Sequence, residues 1–361
     1  MSAAAAPWPD PAWLAPRAIP DPAPGVAIAG FGAIAANEHL TVYRAHEIRI
    51  VGVFDPSPEA TARATALGLH TYDDLDALLA DDAVTLVDVA TPAAVRPAIV
   101  ARALDAGKHV LAQKPFALDV DVAAALVDRA QRAGLTLAVN VNARWAAGWR
   151  MAGRLVREGR IGEVRAVSHV VELDLGAQAG GPLDATGDFA IVDVLTHWID
   201  ITGTWIPWTW PVRVQAQEHR LPAQPEASIS AFGAIVTFVT AAGVSVSIQL
   251  VGANALAQPR WTAWVHGVDG TIRTRSRWAG PDELWLDAPD GTMTATSADQ
   301  GWVPHGFEGS ILEALHAAAS GEPAENAVRS HLPMLAVVLA AGRSARAGGV
   351  PETVDEPRLQ S

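Results

Sequence analysis

The stretch "GVAIAGFGAIA", residues 25–35, decides the fold of this chain, because a glycine-rich turn joins a short apolar run to the start of a helical pattern. Its second half fits G-x-G-x-x-A. In that arrangement the glycines let the backbone approach a pyrophosphate, and the helix N-terminus supplies N–H donors. The alternative is a tight strand-to-helix turn that holds no ligand. We predict a dinucleotide site formed by Gly30, Phe31, Gly32, Ala33, Ile34 and Ala35.

A carboxylate closes the next apolar run, "IRIVGVFD", where Asp55 stands at the end of the strand-like pattern. In nucleotide-binding units of this type, an acidic residue about 20 residues beyond the glycines accepts hydrogen bonds from the adenosine ribose hydroxyls. The same carboxylate would repel a 2′-phosphate. Asp55 therefore favours NAD over NADP as the cofactor.

Short apolar runs alternate with helical stretches from residue 25 to about residue 142, which predicts an α/β Rossmann-type, doubly wound parallel sheet of six strands. From residue 144 the pattern changes to alternating segments such as "GVSVSIQLVGAN", joined by short turns. These segments predict an α+β second domain with a large, mainly antiparallel, open-faced sheet. We expect a loosely ordered arm over residues 1–24, a dinucleotide-binding domain over 25–143, and a substrate-binding and oligomerisation domain with C-terminal helices over 144–361.

The composition excludes several classes of function. The net charge of −13 argues against a nucleic-acid partner, since binding to phosphates requires a basic surface. The absence of cysteine excludes thiol nucleophiles and cysteine-ligated metals, and the scattered histidines provide no zinc motif, so we expect no metal. The chain shows neither a membrane span nor a signal peptide, and we expect a cytoplasmic protein.

Two further segments carry residues suited to proton transfer. In "LAQKPFA", Lys114 is one of only two lysines in a chain with 26 basic residues. In "DFAIVDVLTHWIDI", Asp193 and His197 are four residues apart, so on a helix they would share one face, where a carboxylate can orient an imidazole. Such a histidine suits a general base. Taken alone, the pair is more typical of a solvated helix surface than of a catalytic site.

The chain resembles the Gfo/Idh/MocA oxidoreductases, a family that includes glucose–fructose oxidoreductase and inositol dehydrogenase. The resemblance rests on the glycine turn, "ATP" at residues 90–92, "AGKHVLAQKP" at 106–115, "GRIGEV" at 159–164 and the Asp193/His197 pair. It implies that Thr91, Pro92, Gln113 and Lys114 contact the cofactor. It also implies that Lys114, Asp193 and His197 form the catalytic set.

This resemblance implies NAD-dependent oxidation of a secondary hydroxyl in a sugar, sugar acid or cyclitol. In this scheme Lys114 polarises the oxygen, His197 takes the proton and Asp193 orients His197. Three positions depart from the family pattern. Gln113 stands where glutamate is usual, Leu195 replaces the glycine of D-x-G-x-H, and Arg96 occupies a common histidine position, facing either the substrate or solvent.

The resemblance places Asn142, Arg144 and Trp145 at the entrance of the substrate pocket, although these residues could instead only cap the domain junction. It also implies a homodimer or homotetramer formed through the second-domain sheet. Two alternatives stay open. One is a catalytically silent protein that senses a cofactor or sugar on the same fold, and the other is an enzyme that keeps its cofactor bound between turnovers.

Overall fold

The computed structural model describes residues 13–187, 189–254 and 258–358, and these residues fold into two compact units. The parallel-sheet unit contains Pro16–Asn142 together with Phe307–Leu332. The mixed-sheet unit contains Ala143–Gly306 together with Pro333–Glu356. The predicted N-terminal arm lies outside the described residues as far as residue 12, and the predicted domain boundaries stay a prediction.

The parallel sheet confirms the predicted Rossmann-type topology. Within the described residues it has five strands, in the order β2-β1-β3-β4-β5. The strands are β1 (Val26–Ala29), β2 (Ile50–Phe54), β3 (Leu86–Val89), β4 (His109–Ala112) and β5 (Leu137–Val139). The prediction of six strands is wrong. Between β2 and β3, the polar segment around Thr71 forms only an isolated bridge to Val53, because it lacks an apolar run to bury.

Helices connect these strands. They are α1 (Leu40–Ala45), α2 (Pro58–Ala66), α3 (Leu75–Ala80), α4 (Arg96–Asp105) and α5 (Val120–Ala133). Their ends follow the sequence: the Ser57 hydroxyl accepts a hydrogen bond from the Ala60 N–H, and Gly134 ends α5 in the left-handed conformation. The first helix differs from the expected regular α-helix. It begins as a π-helical turn, Ala35–His39, and only then continues as α1.

The mixed sheet confirms the prediction of a large, mainly antiparallel second sheet. In the described part of the chain it has nine strands, in the order β13-β12-β11-β10-β6-β9-β8-β7-β14. β6 and β9 are parallel neighbours, and the remaining neighbouring pairs are antiparallel. The strands are β6 (Val164–Glu172), β7 (Val212–His219), β8 (Gly233–Val239), β9 (Ser245–Val251), β10 (Arg260–Gly267), β11 (Thr271–Arg277), β12 (Asp282–Asp287), β13 (Met293–Ala298) and β14 (Glu352–Val354).

The described chain has four further α-helices: α6 (Ala147–Arg157), α7 (Thr196–Gly203), α8 (His305–Ser320) and α9 (Val328–Arg346). None of the helices in the described ranges is long and apolar enough to cross a membrane. Successive residues of the mixed sheet alternate between buried and exposed, so that one face is covered and the other is open. The open face includes Ile235 and Val239, which are 43% and 41% exposed.

A cluster of four tryptophans forms part of the core of the mixed-sheet unit. The rings of Trp149, Trp198, Trp261 and Trp302 lie 5.1 to 5.8 Å apart between centroids, and all four residues are buried. Large aromatic faces packed at these spacings contribute strongly to stability. These four side chains therefore act as core residues.

A buried carboxyl near this core makes stability depend on pH. Asp282 Oδ2 accepts a hydrogen bond from the Gly148 N–H at 2.8 Å, and burial raises the pKa of Asp282 to about 7. Because this value lies above the ordinary 3.8, the group stabilises the fold at low pH, and this stabilisation is lost as pH rises from about 4 to about 7. Burial lowers the pKa of His169 to about 3, so that its contribution changes with pH in the opposite direction.

We expect Asp282→Asn to remove the destabilisation at high pH, since asparagine keeps an oxygen for the Gly148 N–H and does not titrate. Between pH 5 and pH 8, its free energy of unfolding should rise relative to that of the unsubstituted protein by about 3 kcal/mol. Urea unfolding of both proteins at the two pH values measures this difference. A constant difference between pH 5 and pH 8 would show that Asp282 titrates normally.

Candidate active site

Most of the predicted cofactor residues lie at one edge of the parallel sheet. Gly30 follows β1, Asp55 follows β2, Thr91 follows β3, and Gln113 and Lys114 follow β4. Because these strands are parallel, their carboxyl ends share this edge. The chain leaves β1 for β2 on one side and β3 lies on the other, and the crevice at such a switch point is where open α/β sheets bind ligands.

The two glycines of the turn have different surroundings. Gly30 has φ +93°, and a Cβ built there would lie 2.8 Å from Thr91 Cγ2 and 2.9 Å from the Ala90 carbonyl. A side chain is therefore excluded by the neighbouring loop. Around Gly32, the described residues place no atom within 4 Å of a built Cβ. Gly32 thus leaves open space at the start of the helix, where a pyrophosphate would approach the backbone.

The other predicted residues of this turn divide by exposure. Phe31 and Ala35 are buried, whereas Ala33 and Ile34 are exposed. The exposed Arg63 on α2 was missed by the sequence analysis. It donates a hydrogen bond to the Phe31 carbonyl, and its guanidinium lies 5.8 Å from the centroid of the Phe31 ring. An arginine near such a turn can accommodate a 2′-phosphate, so Arg63 bears on the choice between NAD and NADP.

Asp55 stabilises the turn from the neighbouring strand. Its Oδ2 accepts a hydrogen bond from the Phe31 N–H at 2.6 Å, and its Oδ1 accepts one from the Ser57 N–H at 2.8 Å. A carboxylate offers about four acceptor positions. Asp55 can therefore hold the glycine turn and still accept hydrogen bonds from two hydroxyls.

Arg96 connects two loops of the site. The sequence left it facing either substrate or solvent, but the structure buries it at the start of α4, where it donates hydrogen bonds to the carbonyls of Thr91 and Pro115. Thr91 precedes Pro92 in the loop after β3, and Pro115 follows Lys114 in the loop after β4. The Arg96 guanidinium therefore joins the two loops that carry these predicted cofactor residues. Arg96 has a positioning role that the sequence did not reveal.

We expect Arg96→Met to lower the free energy of unfolding by about 3–6 kcal/mol, because two carbonyls each lose a charged donor worth about 1.5–3 kcal/mol. NAD affinity should fall as well, since the two loops are no longer joined. Urea unfolding and NAD titration measure the two effects. Arg102→Met on the same helix removes a partly exposed ion pair with Asp76 and should cost less than about 1 kcal/mol. Equal effects at both positions would contradict the positioning role of Arg96.

Lys114 and Gln113 immediately follow β4, and Gln113 belongs to a buried polar network that the sequence analysis missed. The Gln113 amide nitrogen lies 2.7 Å from His39 Nε2, and His39 Nδ1 lies 2.6 Å from Asp88 Oδ2. One signal for this network was present in the sequence. Asp88 is a charged residue inside the apolar run "TLVDVA", and a buried charge requires a partner.

The mixed-sheet unit holds the predicted acid–base pair. A π-helical turn, Phe189–Val194, contains the half-buried Asp193, and α7 begins only at Thr196, immediately before the buried His197. The expected single regular helix is therefore wrong, because the Leu195 N–H bonds to the Ala190 carbonyl five residues earlier. Interruptions of this kind are frequent at functional sites.

The His197 ring packs against the tryptophan core. It meets the Trp302 ring edge-on, with centroids 4.8 Å apart. Leu195, which replaces the family glycine, is fully buried. The contact with Trp302 restricts the orientation of His197. Its proposed pairing with Asp193 stays a prediction.

The three candidate substrate residues lie in a short 3₁₀ turn, Asn142–Trp145, and all three are buried. Arg144 makes a bidentate ion pair with Asp200, with both N···O distances at 2.7 Å. The Trp145 ring lies 5.5 Å from the Arg150 guanidinium. A fixed Arg144 contributes to the structure of this turn, and contact with a substrate stays a prediction for all three residues.

The described residues contain no group of three or more His, Asp or Glu side chains placed to hold a metal ion. A dinucleotide site at the edge of the parallel sheet is the main candidate site in the described chain. Its features are the open turn at Gly32, the carboxylate of Asp55 and the loops joined by Arg96.

Residues 25–141 match the family model of the oxidoreductase family with an NAD-binding Rossmann fold. A D-apiose dehydrogenase from Paraburkholderia graminis is 29% identical over 352 residues, covering 90% of this chain and 88% of that protein. An uncharacterised oxidoreductase from Schizosaccharomyces pombe is 33% identical over 175 residues, covering 46% of this chain and 47% of that protein. In this comparison the chain spans about half the length of its relative.

An oxidoreductase from Agrobacterium radiobacter, solved with NAD+, L-tartaric acid and magnesium, has a similar structure. The TM-score is 0.77 at 23% identity, and the match covers 92% of this chain and 98% of that one. The parallel sheet and the glycine turn lie within the segment that matches the NAD-binding Rossmann fold of these oxidoreductases. Residues 25–141 thus match the model of the Gfo/Idh/MocA family, which confirms the resemblance found in the sequence.

Proposed function

We propose that this protein is an NAD-dependent dehydrogenase that oxidises a secondary hydroxyl of a sugar, sugar acid or cyclitol. The observation that carries the proposal is the open space around Gly32 at the switch point of the parallel sheet, in a chain of an NAD-binding family. The similarity to a D-apiose dehydrogenase over most of both chains supports a sugar substrate.

When bound, the nicotinamide would supply the hydride acceptor. The side chains of this protein would take up the hydroxyl proton and stabilise the negative charge on the reacting oxygen. In our proposal, the Lys114 ammonium donates a hydrogen bond to the reacting oxygen and stabilises negative charge as it develops there. His197 takes the hydroxyl proton, and Asp193 holds the imidazole in the required tautomer. Lysine suits this position because its ammonium is compact and can lose its proton, whereas the guanidinium of arginine keeps its proton.

The preference for NAD over NADP rests on Asp55. Its carboxylate already holds the Phe31 and Ser57 N–H groups, and in our proposal its remaining acceptor positions bind the two adenosine ribose hydroxyls. A 2′-phosphate would place negative charge against it. Arg63, beside the same turn, would favour a 2′-phosphate instead. The assay therefore includes both NAD and NADP.

The proposal extends to assembly and location. The open face of the mixed sheet, with Ile235 and Val239 exposed, fits a homodimer or homotetramer in which a second copy covers it. The substrate is a small molecule in this proposal. A cytoplasmic location stays a prediction.

The test is NADH formation at 340 nm by the purified protein, with NAD or NADP and a panel of aldoses, sugar acids, inositols and glycosides. We expect turnover with NAD, and its loss in His197→Ala. Binding of NAD without turnover on any of these substrates would favour the alternative, a protein that senses a cofactor or sugar. Failure to bind either nucleotide would overturn the proposed function.

A further inference from the structure

Five polar side chains form a connected network inside the parallel-sheet unit, next to the candidate cofactor edge. His39 is at its centre: Nδ1 lies 2.6 Å from Asp88 Oδ2, and Nε2 lies 2.7 Å from the Gln113 amide nitrogen and 3.0 Å from the Asn140 amide nitrogen. The Tyr43 hydroxyl donates to Asp88 Oδ2 at 2.8 Å. His39, Asp88 and Tyr43 are completely buried.

The hydrogen-bond directions in this network follow from the chemistry of its members. Burial and the neighbouring Asp88 raise the pKa of Tyr43 well above its ordinary value, so that its hydroxyl keeps its proton and acts as a hydrogen-bond donor. Ionised Asp88 can only accept, and it therefore requires a proton on His39 Nδ1. A neutral His39 then has a lone pair on Nε2, which faces the N–H groups of Gln113 and Asn140.

This arrangement determines how the Gln113 amide is turned. Its nitrogen donates to His39, so its carbonyl oxygen points away from the ring. Gln113 is half-buried immediately before Lys114, and its N–H bonds to the Val89 carbonyl at 3.0 Å. The carbonyl oxygen is thus available as an acceptor at the edge where the strands end.

The π-helical turn brings His39 to this position. The Leu40 N–H bonds to the Ala35 carbonyl, so the helix that starts at the glycine turn widens at the residues leading to His39. The ring also contacts Phe307, with centroids 5.7 Å apart. The helix that carries the predicted pyrophosphate site therefore also carries the side chain that orients Gln113.

We propose that His39, whose Nδ1 donates to Asp88 and whose Nε2 accepts from the Gln113 amide, is a positioning residue that turns Gln113 so that its carbonyl oxygen accepts a hydrogen bond from a ribose hydroxyl of the cofactor. This inference rests on the proposed function for the identity of the ligand. It also explains why the glutamine at position 113 matters. A glutamate there would place a carboxylate against the lone pair of a neutral His39, and the ring could remain only by taking a second proton.

The test combines ¹⁵N NMR of the histidine rings with NADH binding followed by fluorescence. In the unsubstituted protein, His39 should show the neutral form with its proton on Nδ1 at pH 7. In Gln113→Glu, His39 should become doubly protonated, because a carboxylate that faces Nε2 can only accept a hydrogen bond. Gln113→Met, which adds no charge, should leave His39 neutral but still weaken NADH binding, because the carbonyl oxygen is lost.

Gln131→Glu is the matched control, because it makes the same change at an exposed position of α5 in the same unit, where the side chain accepts from Arg329. It should leave both readouts unchanged. A doubly protonated His39 in the unsubstituted protein would overturn the proposal. An unchanged His39 in Gln113→Glu would overturn it as well, and so would an unchanged NADH affinity in Gln113→Met. If the unsubstituted protein bound no nucleotide, the proposed function and the ribose contact would fail, whereas the ring spectra would still decide whether His39 orients Gln113.

Discussion

Replacing Lys114 by methionine is expected to lower turnover with NAD by at least about 10²-fold, the lower range for a positioned group in proton transfer. Methionine has a similar length but no charge, so it cannot stabilise negative charge on the reacting oxygen. The variant should still bind NAD, because the turn at Gly30 and the Asp55 carboxylate remain. A loss of turnover without a loss of NAD binding would assign Lys114 to the chemical step.

The chain provides its own control for this substitution. Lys108 is the second lysine of the sequence, lies in the same unit and donates through Nζ to the Asp81 carbonyl at 3.0 Å. Lys108→Met should lower stability because the half-buried Asp81 carbonyl loses its donor, and kcat should stay within about twofold of the unsubstituted value. Steady-state kinetics and thermal unfolding of both variants give the comparison. Equal kcat in Lys114→Met and the unsubstituted protein would remove Lys114 from the mechanism.

The second large effect is expected from a methyl group at the two glycines of the turn. Gly32→Ala should weaken NAD binding about 10- to 100-fold, because its Cβ enters space that we assign to the pyrophosphate, and such overpacking costs about 1–3 kcal/mol. Its thermal stability should be unchanged, since the described chain leaves 4 Å free around the built Cβ. Gly30→Ala should instead lower stability, because φ is +93° and the Ala90 carbonyl is 2.9 Å from the built Cβ.

Thermal unfolding without nucleotide and NAD titration by calorimetry distinguish the two variants. Gly32→Ala should change only the affinity, whereas Gly30→Ala should change the unfolding temperature and, through the displaced loop, the affinity as well. Normal NAD binding by Gly32→Ala would place the pyrophosphate elsewhere. Normal stability of Gly30→Ala would show that the loop at Ala90 can move aside.

The strands of the parallel sheet could be predicted from the sequence because each is a short apolar run bounded by turn residues. β14, with only three residues, is too short to show an alternating pattern. β13 runs from Met293 to Ala298 with most of its residues exposed, so that it also lacks apolar alternation. The two π-helical turns were missed for a different reason. A single extra residue in a helical turn leaves the apolar periodicity almost unchanged, although it redirects the side chains that follow.

The candidate site was predictable wherever a local pattern carries the chemistry. The glycine turn, Asp55 and Lys114 each stand at the end of an apolar run, and in a parallel sheet those ends meet at one edge. Arg96 and His39 were not predictable in their roles. Their partners lie on other segments, Pro115 for Arg96 and Asp88 and Gln113 for His39, and no spacing along the chain indicates which carbonyl or carboxylate a buried side chain meets.

The sequence by itself determined the fold class, the glycine turn and the acidic residue after β2, because these depend on apolar periodicity and on residues that act through the local backbone. Only the tertiary structure decided that Arg96 joins two loops, that Arg144 is paired with Asp200 and that the Gln113 amide meets His39. Burial makes the difference. A buried charge or amide must find a partner, and the folded chain, rather than the order of residues, determines which partner lies within reach.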